Sequence, residues 1–141
     1  MCNGDIQLDI VVPNKTCYLG FIGEIGEKVA EELDRYSGDR KALAYHLNLA
    51  LTEALVNAME HGNTGDSEQT VHVTIQVLPD QLCIKVYDHG QGFDLDRVKA
   101  PNLEHPGERG RGIFLIKSIM DSVSYHKING GNVLEMRKRL A

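Results

Sequence analysis

The chain has little positive charge: 15 Lys and Arg stand against 20 Asp and Glu, a formal net charge of −5. That balance excludes a general affinity for nucleic acid or an anionic membrane, since either needs a basic face. No apolar run approaches the roughly 20 residues that span a bilayer. The opening residues MCNGDIQLDIVV lack the basic and apolar regions of a signal peptide. Cysteine is sparse. Cys2, Cys17 and Cys83 are odd in number and form no Cys-x-x-Cys pair, which reads as reduced thiols in a cytoplasmic protein. The six histidines stand at no metal-ligand spacing with a cysteine, so zinc is not expected. No nucleophile elbow or Ser/His/Asp pattern stands out. No repeat, low-complexity tract or Pro/Ser linker divides the chain.

What is present is an ordinary globular composition, 42% hydrophobic and 25% charged. At 141 residues it suits one domain, 1–141, able to bury a core without disulfides or metal. Alternation predicts a strand over 6–12, ended by Pro13-Asn14. Leu19, Ile22, Ile25, Val29 and Leu33 recur at spacings of three and four, which predicts a helix over about 16–36. Gly20, Gly23 and Gly26 weigh against its first half. A second helix is expected to start at Asp39, an N-cap residue, and to reach Glu60 or His61 before Gly62-Asn63. Its apolar positions cover most of the circumference, so it is expected to be largely buried.

Two alternating strands follow, with Val71, Val73, Ile75 and Val77 on one face, then Leu82, Ile84 and Val86 after the Pro79-Asp80-Gln81 turn. Residues 94–111 show little periodicity, and a connection that long inside a compact domain is usually functional. A helix over 112–120 and strands over 122–128 and 133–138 complete the series, with Asn129-Gly130-Gly131-Asn132 as hairpin-turn chemistry. Runs of hairpin-joined strands imply an α+β two-layer sandwich: a mixed, mainly antiparallel sheet with helices on one face.

Three segments carry chemistry. In LTEALVNAMEHGN (51–63), Glu53 and Asn57 lie one helical turn apart and project from one face, with His61 continuing the stripe. On a mostly buried helix such groups need partners. Magnesium and its waters would satisfy Asn57, and a substrate hydroxyl would satisfy Glu53; hydrogen bonds within the core would satisfy either. In VYDHGQGFD (86–94), Asp88 continues the Leu82, Ile84, Val86 face, so its carboxylate is expected to point at the helix layer. There it requires donors. An exocyclic amine such as that of adenine is one, and Gly90 and Gly92 leave room for a flat ring. The plain alternative is a turn that ends a strand. In GERGRGIFLIKSIMD (107–121), Gly107, Gly110 and Gly112 open a helix whose backbone N–H groups suit a phosphate, with Arg109 and Arg111 in reach. A flexible loop with solvated arginines is the alternative.

In this order and spacing the segments resemble the boxes of the GHKL ATPases, which have the Bergerat (histidine-kinase-like ATPase) fold. Glu53-x-x-x-Asn57 resembles the N-box, Asp88-x-Gly90-x-Gly92-Phe93 the G1 box and Gly110-x-Gly112 the G2 box. Within that superfamily, EALVNAMEHGN and FLIKSIMD are similar to bacterial anti-sigma regulatory factors, which are serine/threonine protein kinases. The resemblance spans about residues 5–138. It implies ATP or ADP as nucleotide and Mg2+ held by Asn57. Glu53 would be general base toward the acceptor hydroxyl, and Asp88 would accept from the adenine amine. Gly90 and Gly92, with Phe93 in the same box, would shape the adenine wall. Gly110 and Gly112 would hold phosphates, with Arg111 beside them. Arg109 would reach the terminal phosphate, and 94–111 would be an ATP lid.

The resemblance also implies a homodimer that sequesters a sigma factor and phosphorylates a STAS-type anti-sigma factor antagonist. The acidic balance, not the resemblance, carries the expectation of no direct nucleic-acid or membrane partner. A nucleotide-dependent partner-binding switch without kinase activity would need Asn57 and Asp88 but no base, so Glu53 favours the kinase. A stand-alone histidine-kinase-type ATPase domain would need a phosphoacceptor hairpin in cis, for which 141 residues leave no room.

Overall fold

The computed structural model describes residues 5–34, 36–62, 69–90 and 111–140. Among these residues five strands form one sheet in the order β1 (Ile6–Pro13), β2 (Thr70–Val77), β3 (Gln81–Asp88), β5 (Gly131–Arg139), β4 (Ser122–Ile128). Every pairing is antiparallel. The register puts Val12, Val71, Val86 and Leu134 on one face with Ile75, Ile84 and Met136, all of them buried. Alternation dictates this, because one apolar residue in two turns to the same side. Against that face lies a layer of three helices, α1 (Leu19–Glu31), α2 (Arg40–Asn57) and α3 (Arg111–Ile119), which gives the expected two-layer α+β architecture. No helix among the described residues is long and apolar enough to cross a membrane.

α2 is the central helix. Leu43, Leu47, Leu51 and Leu55 repeat every four residues and are each no more than 1% exposed. Full burial of such a side chain contributes about 1.5–3 kcal/mol. Asp39 starts the helix as expected: its backbone is extended and its carboxylate accepts from Lys41 N at 2.9 Å. The α-helical part stops at Asn57, and the chain continues as one wider π-helical turn, Ala58–Gly62, whose Ala58 and Met59 remain buried.

α1 is shorter than its periodicity predicts. A 3-10 turn, Thr16–Tyr18, precedes it, and beyond Glu31 the chain tightens to shorter bonds, Glu32 N to Val29 O and Leu33 N to Ala30 O. Leu33 still reaches the core. The glycines that weigh against this helix have a packing reason. A Cβ at Gly23 would overlap the Asn48 side chain, and one at Gly26 would overlap Leu51 and crowd the Leu47 backbone. α1 therefore lies close upon α2.

β4 and β5 are joined by Asn129-Gly130 alone, with Gly130 at φ 87°. The turn expected over 129–132 is thus two residues shorter, and β5 starts at Gly131 rather than 133. Cys17 is an exposed free thiol and Cys83 a buried one.

Candidate functional site

Asp88 is the last residue of β3 and sits on the inward face, where alternation places it; it is 3% exposed. A carboxylate so buried needs donors. Gly90 N donates to Oδ1 at 3.0 Å, which bends the backbone just after the strand. Asn132 Nδ2 donates to the same oxygen at 2.9 Å, and the Tyr125 hydroxyl reaches Oδ2 at 3.4 Å. The second hydrogen of the Asn132 amide goes to Gly90 O at 2.8 Å.

Asn132 escapes the sequence reading because Asn-Gly-Gly-Asn signals a turn so strongly. In the structure it belongs to β5, directly opposite Asp88 in the register, and is 1% exposed. Gly131 makes the approach possible, since a Cβ there would collide with the Asp88 carbonyl. The signal that would have found Asn132 is its phase. It alternates with Leu134 and Met136, so it is a polar residue on an inward apolar face.

Glu53 and Asn57 project from the C-terminal half of α2, both half-buried. The Glu53 carboxylate packs against the first turn of α3, where Gly112 leaves it room; a Cβ on Gly112 would overlap its Oε2. Glu53 is engaged, not idle. No side chain among the described residues hydrogen-bonds the Asn57 amide. The π-helical turn that follows Asn57 packs against β3, and α2 packs against α3. The end of α2, the end of β3 and the start of α3 therefore converge on one side of the sheet.

Of the residues singled out from the sequence, Glu53, Asn57, Asp88, Gly90 and Gly112 are placed in this region. Arg111 opens α3, though its side chain lies outside what is described. Gly92, Phe93, Arg109, Gly110 and nearly all of the 94–111 connection also lie outside the described residues.

The arrangement offers a buried acceptor at a strand end, an amide on the adjacent helix, and a carboxylate against a helix N-terminus. The donor set suits magnesium brought in with phosphates, because Mg2+ takes few protein ligands and keeps phosphate and water oxygens. Among the described residues no cluster of three or more His, Cys, Asp or Glu could cage a metal by itself.

Comparison with known proteins places the chain. Residues 22–138 match the model of the family described as histidine kinase-like ATPase domain. The serine-protein kinase RsbW of Oceanobacillus iheyensis is 31% identical over 151 aligned positions, covering all of this chain and 90% of the relative. RsbW of Staphylococcus epidermidis is 31% identical over 91, covering 58% of this chain. The chain spans 57% of the length of that relative. In solved structures, the histidine kinase domain of an Erythrobacter litoralis blue-light activated histidine kinase superposes with a TM-score of 0.56 at 17% identity. It covers 91% of this chain and 61% of that one. At that identity the likeness is one of fold.

Proposed function

Because the chain belongs to the histidine kinase-like ATPase domain family, and so to the GHKL superfamily, we propose that it is an ATP-dependent serine/threonine protein kinase acting as an anti-sigma factor. The observation that carries the nucleotide half of this reading is Asp88, a buried carboxylate at the end of an apolar strand, beside the converging ends of α2 and α3. An acceptor-only group suits an exocyclic amine.

Gly110 and Gly112, with Arg109 and Arg111, hold the phosphates at the start of α3, where helix N–H groups favour anions. Asn57 holds Mg2+, which neutralises phosphate charge when bound. Glu53 accepts the proton of a serine or threonine hydroxyl as that oxygen bonds to the terminal phosphorus and ADP departs. Its contact with Gly112 supports this role, since it keeps the base beside the phosphate-binding turn. Such chemistry rests on positioning and charge rather than on covalent help from the protein.

A relative along the full chain that is named a serine-protein kinase supports the kinase half of this reading, and the likeness of EALVNAMEHGN and FLIKSIMD to anti-sigma regulatory factors supports a sigma factor as the sequestered partner and a STAS-type antagonist as the phosphate acceptor. The reading includes a cytoplasmic homodimer. The homodimer is supported by a groove of about 410 Å³ between α1 and the edge strand β1, lined by the apolar Ile6, Leu8, Phe21, Ile25 and Val29 with the charged Glu24, Lys28 and Glu32.

Calorimetric titration with ATP, with and without magnesium, tests the pocket, and phosphotransfer to a STAS-domain protein tests the reaction. Asp88→Asn is expected to destroy nucleotide binding. Glu53→Ala is expected to bind MgATP and transfer no phosphate. Retained transfer by Glu53→Ala removes the base and leaves the nucleotide-dependent switch as the better reading.

A further inference from the structure

Asn132 stands outside the three motifs, yet among the described residues it is the most completely buried polar one at the site, 1% exposed. Its amide group makes two hydrogen bonds at once, to Asp88 Oδ1 at 2.9 Å and to Gly90 O at 2.8 Å. One side chain on β5 therefore ties together the carboxylate of β3 and the backbone two residues beyond it. Both partners are acceptors, which fixes the amide with its nitrogen toward them.

The consequence falls on Asp88. Its Oδ1 receives Gly90 N and Asn132 Nδ2, while among the described residues Oδ2 has only the long 3.4 Å bond from the Tyr125 hydroxyl. The terminal torsion of an aspartate is intrinsically broad, so nothing within the residue itself would hold Oδ2 in one direction. Two bonds on Oδ1 do so.

The geometry points to Asn132 as a positioning residue: by saturating one oxygen of Asp88 it presents the other to the ligand and makes the pocket select a 6-amino purine over a 6-oxo purine. This rests on the nucleotide reading above. A 6-amino group donates to the held oxygen. A 6-oxo group brings a second acceptor to the same place, leaving both unpaired, and sites built on such pairing discriminate strongly. Asn132 acts through Asp88 and is not itself required to touch the base.

The test is the ratio of ATP to GTP affinity, measured by calorimetry with magnesium in the wild type, Asn132→Leu and Asn132→Ser, with a thermal melt of each. The wild type is expected to prefer ATP. Asn132→Leu keeps the size and loses both donors, so ATP binding is expected to weaken roughly ten- to a hundredfold with GTP little changed. Asn132→Ser restores one donor to Oδ1 and is expected to give an intermediate ratio. A residue that merely supports the strand would weaken both nucleotides in proportion, and that result overturns the proposal. So does an unchanged ratio in a folded Asn132→Leu. If the melt shows Asn132→Leu unfolded, Asn132→Ser decides: an intermediate ratio supports the role and a wild-type ratio overturns it. A wild type that binds neither nucleotide overturns the nucleotide reading itself, and this inference with it.

Discussion

On the face of the sheet turned away from the helices, Arg137 donates to Glu135 through Nε at 3.0 Å, and the Cys83 thiol donates to the same carboxylate at 3.6 Å. Partial burial pushes Glu135 up, but the hydrogen bond and charge of Arg137, helped by Cys83 and Lys85, bring it below its ordinary value of 4.5. A carboxylate lowered by folding adds stability that is present above its unfolded value and is lost as pH falls through its lowered one. Glu135→Gln is therefore expected to melt below the wild type at neutral pH, with the gap closing as the buffer is acidified past 4.5. Melting curves across that range check it. Cys83 moves the other way: burial first, then the Glu135 charge, push its thiol up, which keeps it an inert core group.

At this scale the sequence was legible where phase decided the outcome. Asp88 continues the rhythm of Leu82, Ile84 and Val86, so its inward direction follows from counting. Asn132 obeys the same rule on its own strand, but the count cannot begin until the strand's start is known. Two glycines and two asparagines hid that start.

Between elements, the α1–α2 contact shows what periodicity does not hold. Hydrophobic spacing locates both helices, and Asp39 marks the beginning of α2 through its cap. The three glycines of α1 look alike in sequence, each a weak point in a helix, yet they differ in surroundings. A Cβ at Gly20 meets nothing within 4 Å. One at Gly26 would meet Leu51 Cδ1 at 2.7 Å and the Leu47 carbonyl at 3.1 Å. Gly20→Ala is expected to stabilise by about 0.5–1 kcal/mol through lost freedom of the unfolded chain. Gly26→Ala is expected to destabilise by about 1–3 kcal/mol, because overpacking a close helix contact outweighs the helix gain. Urea titration of the two variants gives opposite shifts of midpoint if this is right. Which glycine is needed depends on a neighbouring helix, and no local pattern carries that.

For the molecule as a whole, the antiparallel two-layer build followed from runs of strands joined by hairpin turns, whereas the order of the sheet did not. β4 and β5 form a hairpin, but the hairpin joins the sheet through β5, so the later strand lies inside and the earlier one at the edge. Only side-by-side packing decides between that and the reverse. The proposed nucleotide would bind the folded state alone. MgATP at a hundred times its Kd is then expected to add about 2.7 kcal/mol, a rise in Tm of roughly 10 °C for a domain of this size. Asp88→Asn is expected to show no such rise, and a thermal melt with and without MgATP checks both.

The inward position of β5 also sets a clock on biosynthesis. A ribosome delivers β1, the helices α1 and α2 and the β2–β3 hairpin while the strand that will cover the far side of β3 is still unmade. Asp88 meets its amide partner only after 44 more residues have been added. At about 5–20 residues per second that is a wait of roughly two to nine seconds. During it, a carboxylate destined for the interior stays in water, where its charge carries no desolvation cost. Among the contacts of Asp88, the one with Asn132 is thus the last that synthesis permits, and a nascent chain lacking β5 has the Gly90 and Tyr125 donors but not the Asn132 amide to hold that acceptor.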